Sequence, residues 1–244
     1  MNIVEYFEKN FDSVLVVSST KSCGNLSFKW SGPNVIENRE SLFEELGLDL
    51  DKLVLVNQPH GREVVIVDSL SAGRGSRKKD WVEGYDGLVT SDKNIILGVE
   101  SADCLPIFGF DSKGGIIGVV HAGWQGVVSG VVETLIDKMK DLGSQLEDIK
   151  IQIGPHIKVC CFEVQSNIID KFSAWPKSVL RREGKSFVDL SQIVVDQLTS
   201  IGVLRQNVNI ETRCTCCFED KYYSYRRDKE ENVGAMLSLI KLKR

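Results

Sequence analysis

Two apolar runs joined by a short polar turn place the strongest constraint on the fold. LPIFGFD (105–111) and GIIGVVH (115–121) are β-rich, and the residues between them form a favourable hairpin connection. A turn centred between Ser112 and Lys113 puts Cys104 directly opposite His121. Opposed residues of an antiparallel pair share a face, with Cβ atoms about 4.5–5.5 Å apart. That separation suits a thiolate and an imidazole that bind one metal ion, or a nucleophile beside its base.

The rest of the chain alternates short apolar runs with turns and contains no repeat, low-complexity tract or linker. An apolar stripe from Val127 to Met139 predicts an amphipathic helix, and Gly143 is placed to end it. Two runs flanking Gln58-Pro59-His60-Gly61 place His60 at the tip of a second hairpin. Mixed strands and helices predict an α/β (α+β) fold with a single domain over residues 1–244. The predicted strands are 53–57, 62–68, 94–100, 105–110, 115–120, 150–155 and 208–211, and the further helices are 164–173 and 189–203.

Composition and charge exclude several partners. The formal net charge is −4 and the pI is near 5.5, so no nucleic-acid-binding surface is indicated. No apolar stretch approaches the roughly 20 residues of a membrane span, and the N-terminal MNIVEYFEKNFDS lacks the apolar region of a secretory signal. Seven cysteines, an odd number in a chain long enough to fold without disulfides, indicate reduced thiols. We therefore expect a cytoplasmic protein that binds small molecules rather than nucleic acid or membrane.

His60, Cys104 and His121 form the candidate metal-binding set. The chain has three histidines, and two of them stand near glycine, in Gln-Pro-His60-Gly and His121-Ala-Gly-Trp. For zinc, three protein ligands plus water is the pattern of catalytic rather than structural sites. Two alternatives are a metal-free hydrolase or deamidase with Cys104 as nucleophile and His121 as base, and a buried thiol beside a hydrogen-bonded histidine. His60 distinguishes the two catalytic schemes, because only the metal site requires it.

Ordered motifs along nearly the whole chain resemble those of a known family. They are NQPHG (57–61), DGLVT (86–90), GVESADCLP (98–106), VVHAGWQG (119–126), IGPHIKVCCFEV (153–164) and CTCCFEDKYYSYRRD (214–228). The family is the YfiH, or laccase-domain-containing, family (DUF152). The resemblance implies a mixed-sheet sandwich similar to the catalytic domain of cytotoxic necrotizing factor. It also implies a zinc ion bound by His60, Cys104 and His121.

The resemblance further implies an activity. Members of this family have been described as laccase-like polyphenol oxidases and as purine nucleoside phosphorylases with adenosine deaminase side activity, acting on adenosine, inosine and methylthioadenosine. Some are linked to peptidoglycan-precursor editing, which makes a precursor hydrolase an alternative. The expected partners are a nucleoside and phosphate. Copper is less favoured than zinc, because multicopper oxidases need many more histidines than three. A metal-stabilised binding protein without turnover is a further alternative.

Two positions depart from the family pattern. Gln125 stands where HAGWRG has an arginine, and Ala235 stands where the ending Thr-Gly-Arg has another. Arginine forks are well suited to hold phosphate. Their loss puts phosphate binding, and with it phosphorolysis, in question, while the metal ligands are all present.

Other polar residues are candidates for the chemistry. A zinc-activated water attacking C6 of adenosine needs a carboxylate for acid–base catalysis, and Asp103 and Glu100 are nearest in sequence. Asp103 is equally suited to cap a turn or to orient His60 or His121. The remaining candidates for substrate binding are Arg39, Arg62 and Arg226 as phosphate ligands, with surface salt bridges as their alternative, and Asn25 on a ribose hydroxyl or base edge, with a backbone turn bond as its alternative.

The cysteine-rich segments are expected to contain buried thiols. Cys160 and Cys161 are adjacent, and the CxCC spacing of 214–217 differs from the CxxC of zinc knuckles. Adjacent cysteines rarely both bind one tetrahedral ion. A structural zinc site is therefore the alternative interpretation of these segments.

Overall fold

The computed structural model describes residues 4–7, 13–30, 34–232 and 234–243. The strands are β1 (Val4–Tyr6), β2 (Val14–Ser19), β3 (Leu53–Leu55), β4 (Val64–Ile66), β5 (Gly87–Thr90), β6 (Ile96–Ser101), β7 (Leu105–Asp111), β8 (Ile116–Ala122), β9 (Ile149–Ile153), β10 (Glu163–Val164), β11 (Val179–Arg182), β12 (Lys185–Val188), β13 (Val208–Ile210) and β14 (Met236–Leu242). The α-helices are α1 (Val35–Glu45), α2 (Trp124–Ser129), α3 (Val131–Asp141), α4 (Ser166–Ile169), α5 (Leu190–Ser200) and α6 (Tyr225–Asn232). Short 3₁₀ helices lie at Lys21–Cys23, Leu50–Lys52, Ser69–Ser71, Asp170–Phe172, Pro176–Ser178 and Arg205–Asn207.

Two mixed sheets form the centre of the molecule. The first has the strand order β1-β2-β14-β6-β3, and the second has the order β13-β9-β7-β8-β5-β4. Three neighbouring pairs are parallel, namely β3 with β6, β4 with β5, and β13 with β9, and the other neighbours are antiparallel. A smaller antiparallel sheet, β10-β12-β11, lies apart from both. This confirms the predicted mixed-sheet α/β class.

The two large sheets pack face to face through apolar side chains. Helices pack against the outer face of each sheet in the same way. Val16 and Val99 of the first sheet share one buried cluster with Phe108 and Val119 of the second. On the far side of the second sheet, α3 and α5 bury their apolar stripes against β7, β8 and β9. On the far side of the first, Leu42 and Phe43 of α1 pack with β3 and β14. The result is a helix–sheet–sheet–helix sandwich, whose layers exclude water from the strands that carry the site.

The predicted β7–β8 hairpin exists, but the predicted centre of its turn is wrong by one residue. His121 pairs with Pro106 instead of Cys104, and Leu105 pairs with Ala122. The turn is longer than predicted because the Asp111 carboxylate accepts the N–H groups of Lys113 and Gly114, and Gly115 closes it at φ 63°. Cys104 therefore lies just before β7, diagonal to His121.

His60 does not lie at a hairpin tip, which corrects the prediction. The strands on either side of it belong to different sheets, because β3 pairs with β6 and β4 pairs with β5. The residues between them cross from the first sheet to the second. Gln58 and His60 make this crossing with φ angles of 53° and 66°, in the left-handed region.

The helix predicted from Val127 to Met139 is divided in two. Gly130 adopts φ 83°, a left-handed conformation that ends α2 and begins α3. The apolar stripe continues across the break, with Val127 and Val131 in the same buried cluster.

Within the described ranges, no helix is long and apolar enough to cross a bilayer.

Candidate functional site

Three short segments of the chain bring the three candidate metal ligands together. Cys104 precedes β7, His121 is near the end of β8, and His60 lies in the crossing between the sheets. One donor atom from each residue lies within 4.8 Å of the other two. The imidazole rings of His60 and His121 stand edge to face, with centroids 4.7 Å apart. The His₂Cys set predicted from the sequence is thus assembled by the fold.

Because Gly123 has no side chain, a hollow remains between the side chains of His60, Cys104 and His121. A Cβ atom at this position would stand 2.9 Å from Cδ2 of His60 and 3.3 Å from Sγ of Cys104. The backbone of Gly123 has φ −68° and ψ 168°, a conformation that any L-residue adopts. Glycine is therefore needed here for space and not for backbone freedom. The hollow and the donor set together fit a metal ion of the kind that nitrogen and sulfur ligands prefer.

Asp86 holds two of the three candidate ligands in place, and sequence reasoning did not single it out. Its Oδ1 lies 3.0 Å from Nδ1 of His121 and accepts the backbone N–H of His60, while Oδ2 accepts the N–H of Gly61 at 2.6 Å. The carboxylate is fully buried. A carboxylate on one imidazole nitrogen directs the other toward a metal. In the sequence, the only feature that pointed to Asp86 was its position as the first residue of DGLVT, directly before β5.

Desolvation governs the protonation of the half-buried Cys104 and the buried His121. It raises the pKa of the Cys104 thiol to about 12, and the carboxylates of Asp103 and Asp86 act in the same direction. It lowers the pKa of His121, although the hydrogen bond that the Asp86 carboxylate accepts from this imidazole opposes the shift. His121 is therefore neutral at pH 7, which is the form that binds metals. The Cys104 thiolate requires a cation beside it, since the bare thiol stays protonated.

His60, Cys104 and His121 line a cavity of about 840 Å³, which is large enough for a nucleoside-sized molecule. Its walls carry several aromatic rings and the carboxylates of Glu100 and Asp103. The rings of Trp30 and Tyr225 contact each other at a tilt of 39°, with their centroids 5.7 Å apart. The aromatic side chains among its described lining residues are Trp30, Trp124, Phe162 and Tyr225.

Both predicted carboxylates line the cavity, and each is already hydrogen-bonded. Glu100 accepts from Nη2 of Arg39 at 2.5 Å and from the Ser27 hydroxyl at 2.6 Å. Asp103, at φ 89°, accepts from Thr215, Ser224 and the backbone of Arg226. Burial raises the pKa of Asp103, although these three hydrogen bonds oppose the shift. The residue that orients His121 is Asp86 and not Asp103.

The predicted phosphate ligands are dispersed. Arg39 is fully buried, and its guanidinium donates to the carbonyls of Leu26, Gly75 and Ser76 as well as to Glu100, so it has no face toward the cavity. Arg62 is exposed, is not among the lining residues, and acts electrostatically on Glu133. Arg226 lines the cavity, but Nη1 and Nη2 donate to the carbonyls of Cys161 and Glu163.

Asn25 stabilises a turn. Its amide bonds both the N–H and the carbonyl of Ser27, and its Oδ1 also accepts the N–H of Ala235. Asn25 is not among the described residues that line the cavity. The turn bond considered at this position is therefore the contact that the structure contains.

Lys29 is a cationic lining residue that sequence reasoning missed. Desolvation lowers the pKa of its ammonium, while the charges of Glu100, Asp86 and Cys104 raise it.

The two departures from the family pattern lie in different places. Ala235 lines the cavity, whereas Gln125 is exposed and is not among the lining residues. Only the change at Ala235 removes a side chain from the wall itself.

The chain is similar to known proteins over most of its length. A family model described as multi-copper polyphenol oxidoreductase laccase matches residues 20–243. Adenosine deaminase RL5, from an unknown prokaryotic organism, is 31% identical over 239 residues that cover 91% of each chain. Purine nucleoside phosphorylase YlmD of Geobacillus stearothermophilus is 32% identical over 217 residues, which cover 85% of this chain and 78% of that protein.

Solved structures agree with the sequence similarity. The crystal structure of YlmD from Geobacillus stearothermophilus matches with a TM-score of 0.91 at 28% identity, covering 96% of this chain and 93% of that chain. The YfiH protein of Bacillus licheniformis matches with a TM-score of 0.87 at 28% identity, covering 96% and 94%. The chain belongs to the multi-copper polyphenol oxidoreductase laccase family, the YfiH-like or DUF152 family suggested by its motifs.

Proposed function

We propose that this chain is a zinc-dependent purine nucleoside enzyme of the cytoplasm, which cleaves adenosine, inosine and methylthioadenosine with phosphate and also deaminates adenosine. The observation that carries the proposal is the convergence of His60, Cys104 and His121 on one hollow in an aromatic-walled cavity. Relatives named for purine nucleoside phosphorylase and adenosine deaminase support it. The seven free cysteines fit a reducing compartment.

The donor set favours zinc over copper. Two imidazoles and one thiolate leave a coordination position for water, as catalytic zinc sites do. Multicopper centres need more histidines than the three in this chain. When bound, zinc supplies Lewis acidity and a water of lowered pKa at neutral pH.

The residues of the cavity have separate roles in the proposal. The rings of Trp30 and Tyr225 stack with the purine, because aromatic faces bind bases without sequence-specific hydrogen bonds. Asp103 moves the proton, since its raised pKa brings it nearer to the working pH. Glu100, fixed by Arg39 and Ser27, accepts a hydrogen bond from the substrate at the same wall. Asp86 keeps His121 oriented.

Phosphate needs a cation whose N–H donors are not already used by carbonyl groups. Lys29, whose ammonium lies 6.0 Å from the Trp81 ring centroid, meets that need better than Arg39 or Arg226. We expect Lys29→Gln to lower phosphorolysis about ten-fold or more, because a charge-assisted hydrogen bond contributes about 1.5–3 kcal/mol. Deamination of adenosine, which uses no phosphate, should change much less. Product ratios at fixed phosphate concentration measure this, and Lys29→Arg is the charge-preserving control. Equal loss of both activities would contradict the assignment.

A second candidate is a metal-free Cys–His hydrolase. The specific observation in its favour is the contact of Asp86 with Nδ1 of His121, which also orients the base of a nucleophilic triad. The pKa of Cys104 at about 12 argues against it, as does the position of His60 beside the same two side chains.

The proposed function is tested by chromatography of purified, metal-assayed protein incubated with adenosine and with inosine, each with and without phosphate. Phosphate-dependent release of adenine or hypoxanthine supports phosphorolysis. Inosine formed from adenosine without phosphate supports deamination. Absence of any product from zinc-loaded protein would refute the proposal.

Asp86→Asn should weaken metal binding by about 10- to 100-fold, the usual cost of losing a carboxylate behind a histidine ligand. Asparagine replaces one acceptor oxygen with an NH₂ group, yet both oxygens of Asp86 now accept hydrogen bonds. Zinc affinity measured by competition with a chromophoric chelator gives the effect. Unchanged affinity would show that His121 is oriented by other contacts.

A further inference from the structure

A second group of metal-binding side chains lies outside the cavity. Cys160 and Cys161 come from the segment before β10, and Cys214 and Cys217 come from the segment after β13. All four sulfur atoms lie within 4.8 Å of one another. The expectation of buried thiols is wrong for Cys160 and Cys217, which are exposed, whereas Cys214 is buried. The sequence signal was present, since residues 214 and 217 are themselves a CxxC pair within CTCC.

The spacing of the sulfurs matches a tetrahedral site. Zinc–sulfur bonds of about 2.3 Å place the sulfurs of a tetrahedron about 3.8 Å apart. Here Sγ of Cys217 lies 3.6 Å from Sγ of Cys160 and 3.3 Å from Sγ of Cys161. The backbone N–H of Lys158 donates to Sγ of Cys214 at 3.3 Å, an interaction that stabilises a thiolate. Four sulfurs in mutual reach favour a shared ion over a single disulfide.

We propose that Cys160, Cys161, Cys214 and Cys217 bind a structural zinc ion, distinct from any ion held by His60, Cys104 and His121. Four thiols lose four protons to solvent on binding Zn²⁺, and the resulting unit carries a charge of −2. Cationic side chains lie close by: Arg182 donates to the carbonyl of Cys160, and Arg226 donates to that of Cys161. A site with four protein ligands has no open position, so it stabilises structure without catalysis.

The ion would join the two segments that build one wall of the cavity. The first segment carries Ile157 and Phe162, and the second leads to Tyr225 and Arg226, all of which line the cavity. The second segment also provides Thr215 and Ser224, which bind Asp103. The proposed zinc therefore has a positioning role for the active-site wall. It does not depend on the proposed function, because its four ligands are absent from the catalytic set.

The test is zinc content of the full chain, purified with a phosphine reductant, in a Cys104→Ala background that disables the other set. We expect about one zinc per chain in that background and a loss of nearly all of it when Cys160→Ser or Cys217→Ser is added. Cys160 is exposed, so its replacement creates no core cavity and keeps the test valid if Cys217→Ser folds poorly. Cys216→Ser is the matched control, from the same segment but outside the group of four.

Cobalt substitution gives a second readout that does not depend on activity. Thiolate-to-cobalt charge-transfer bands and tetrahedral ligand-field bands should persist in Cys104→Ala and disappear when Cys160→Ser is added to that background. The proposal is overturned if, in the Cys104→Ala background, Cys160→Ser keeps its zinc, or if Cys216→Ser loses as much zinc as Cys160→Ser does. It is also overturned if thiol titration of protein purified without reductant finds these four cysteines oxidised.

Discussion

Replacing Gly123 with alanine should remove the catalytic metal and lower nucleoside turnover by at least about 100-fold, while the protein stays folded. The added Cβ would enter the hollow between His60 and Cys104, at 2.9 Å from Cδ2 of one and 3.3 Å from Sγ of the other. A displacement of about 1 Å in a catalytic group already costs about 100-fold. Metal content by mass spectrometry and initial rates on adenosine measure the effect.

Two comparisons separate this local effect from a general loss of structure. The φ and ψ of Gly123 suit alanine, so the thermal unfolding midpoint should fall little when both proteins are metal-free. Gln125→Ala, two residues further on at an exposed position outside the cavity lining, should keep both metal and activity. Full metal occupancy in Gly123→Ala would mean that the ion binds elsewhere.

The proximity of Cys104 and His121 could be predicted from the sequence because it depends on a local pattern. Side chains alternate with a period of two, so the one-residue error at the turn moved the partner of His121 from Cys104 to Pro106, two positions along, and left the face unchanged. The error came from the side chain of Asp111, which lengthens the turn through bonds to two N–H groups. Such a bond is invisible to apolar periodicity.

The position of His60 could not be predicted in the same way. The runs around it look like the arms of a hairpin, yet each is buried in a different sheet beside a strand that comes later in the chain. The same long-range pairing brings Asp86 beneath both histidines. Residue types and motif resemblance both indicated the ligand set, but only the fold identifies the carboxylate that orients it.

Charge type alone does not reveal that Arg39 is buried away from the cavity. Arg39 and Glu100 are 61 residues apart and form a buried ion pair that the sequence does not reveal. Burial of an arginine requires that its donors be satisfied, and Arg39 meets this requirement with three backbone carbonyls. Lys29 was overlooked because it lies in no motif, although it lines the cavity.

His60→Ala decides between metal catalysis and a cysteine–histidine mechanism. His60 is exposed, so alanine removes a ligand without opening a cavity in the core. With two ligands left, we expect zinc content attributable to this site to fall to background and nucleoside turnover to fall with it. Cys104→Ala should have the same effect on both quantities if the three residues hold one ion. A nucleophilic mechanism predicts the opposite pattern, in which Cys104→Ala is inactive while His60→Ala remains active without metal, served by Asp86 and His121 alone.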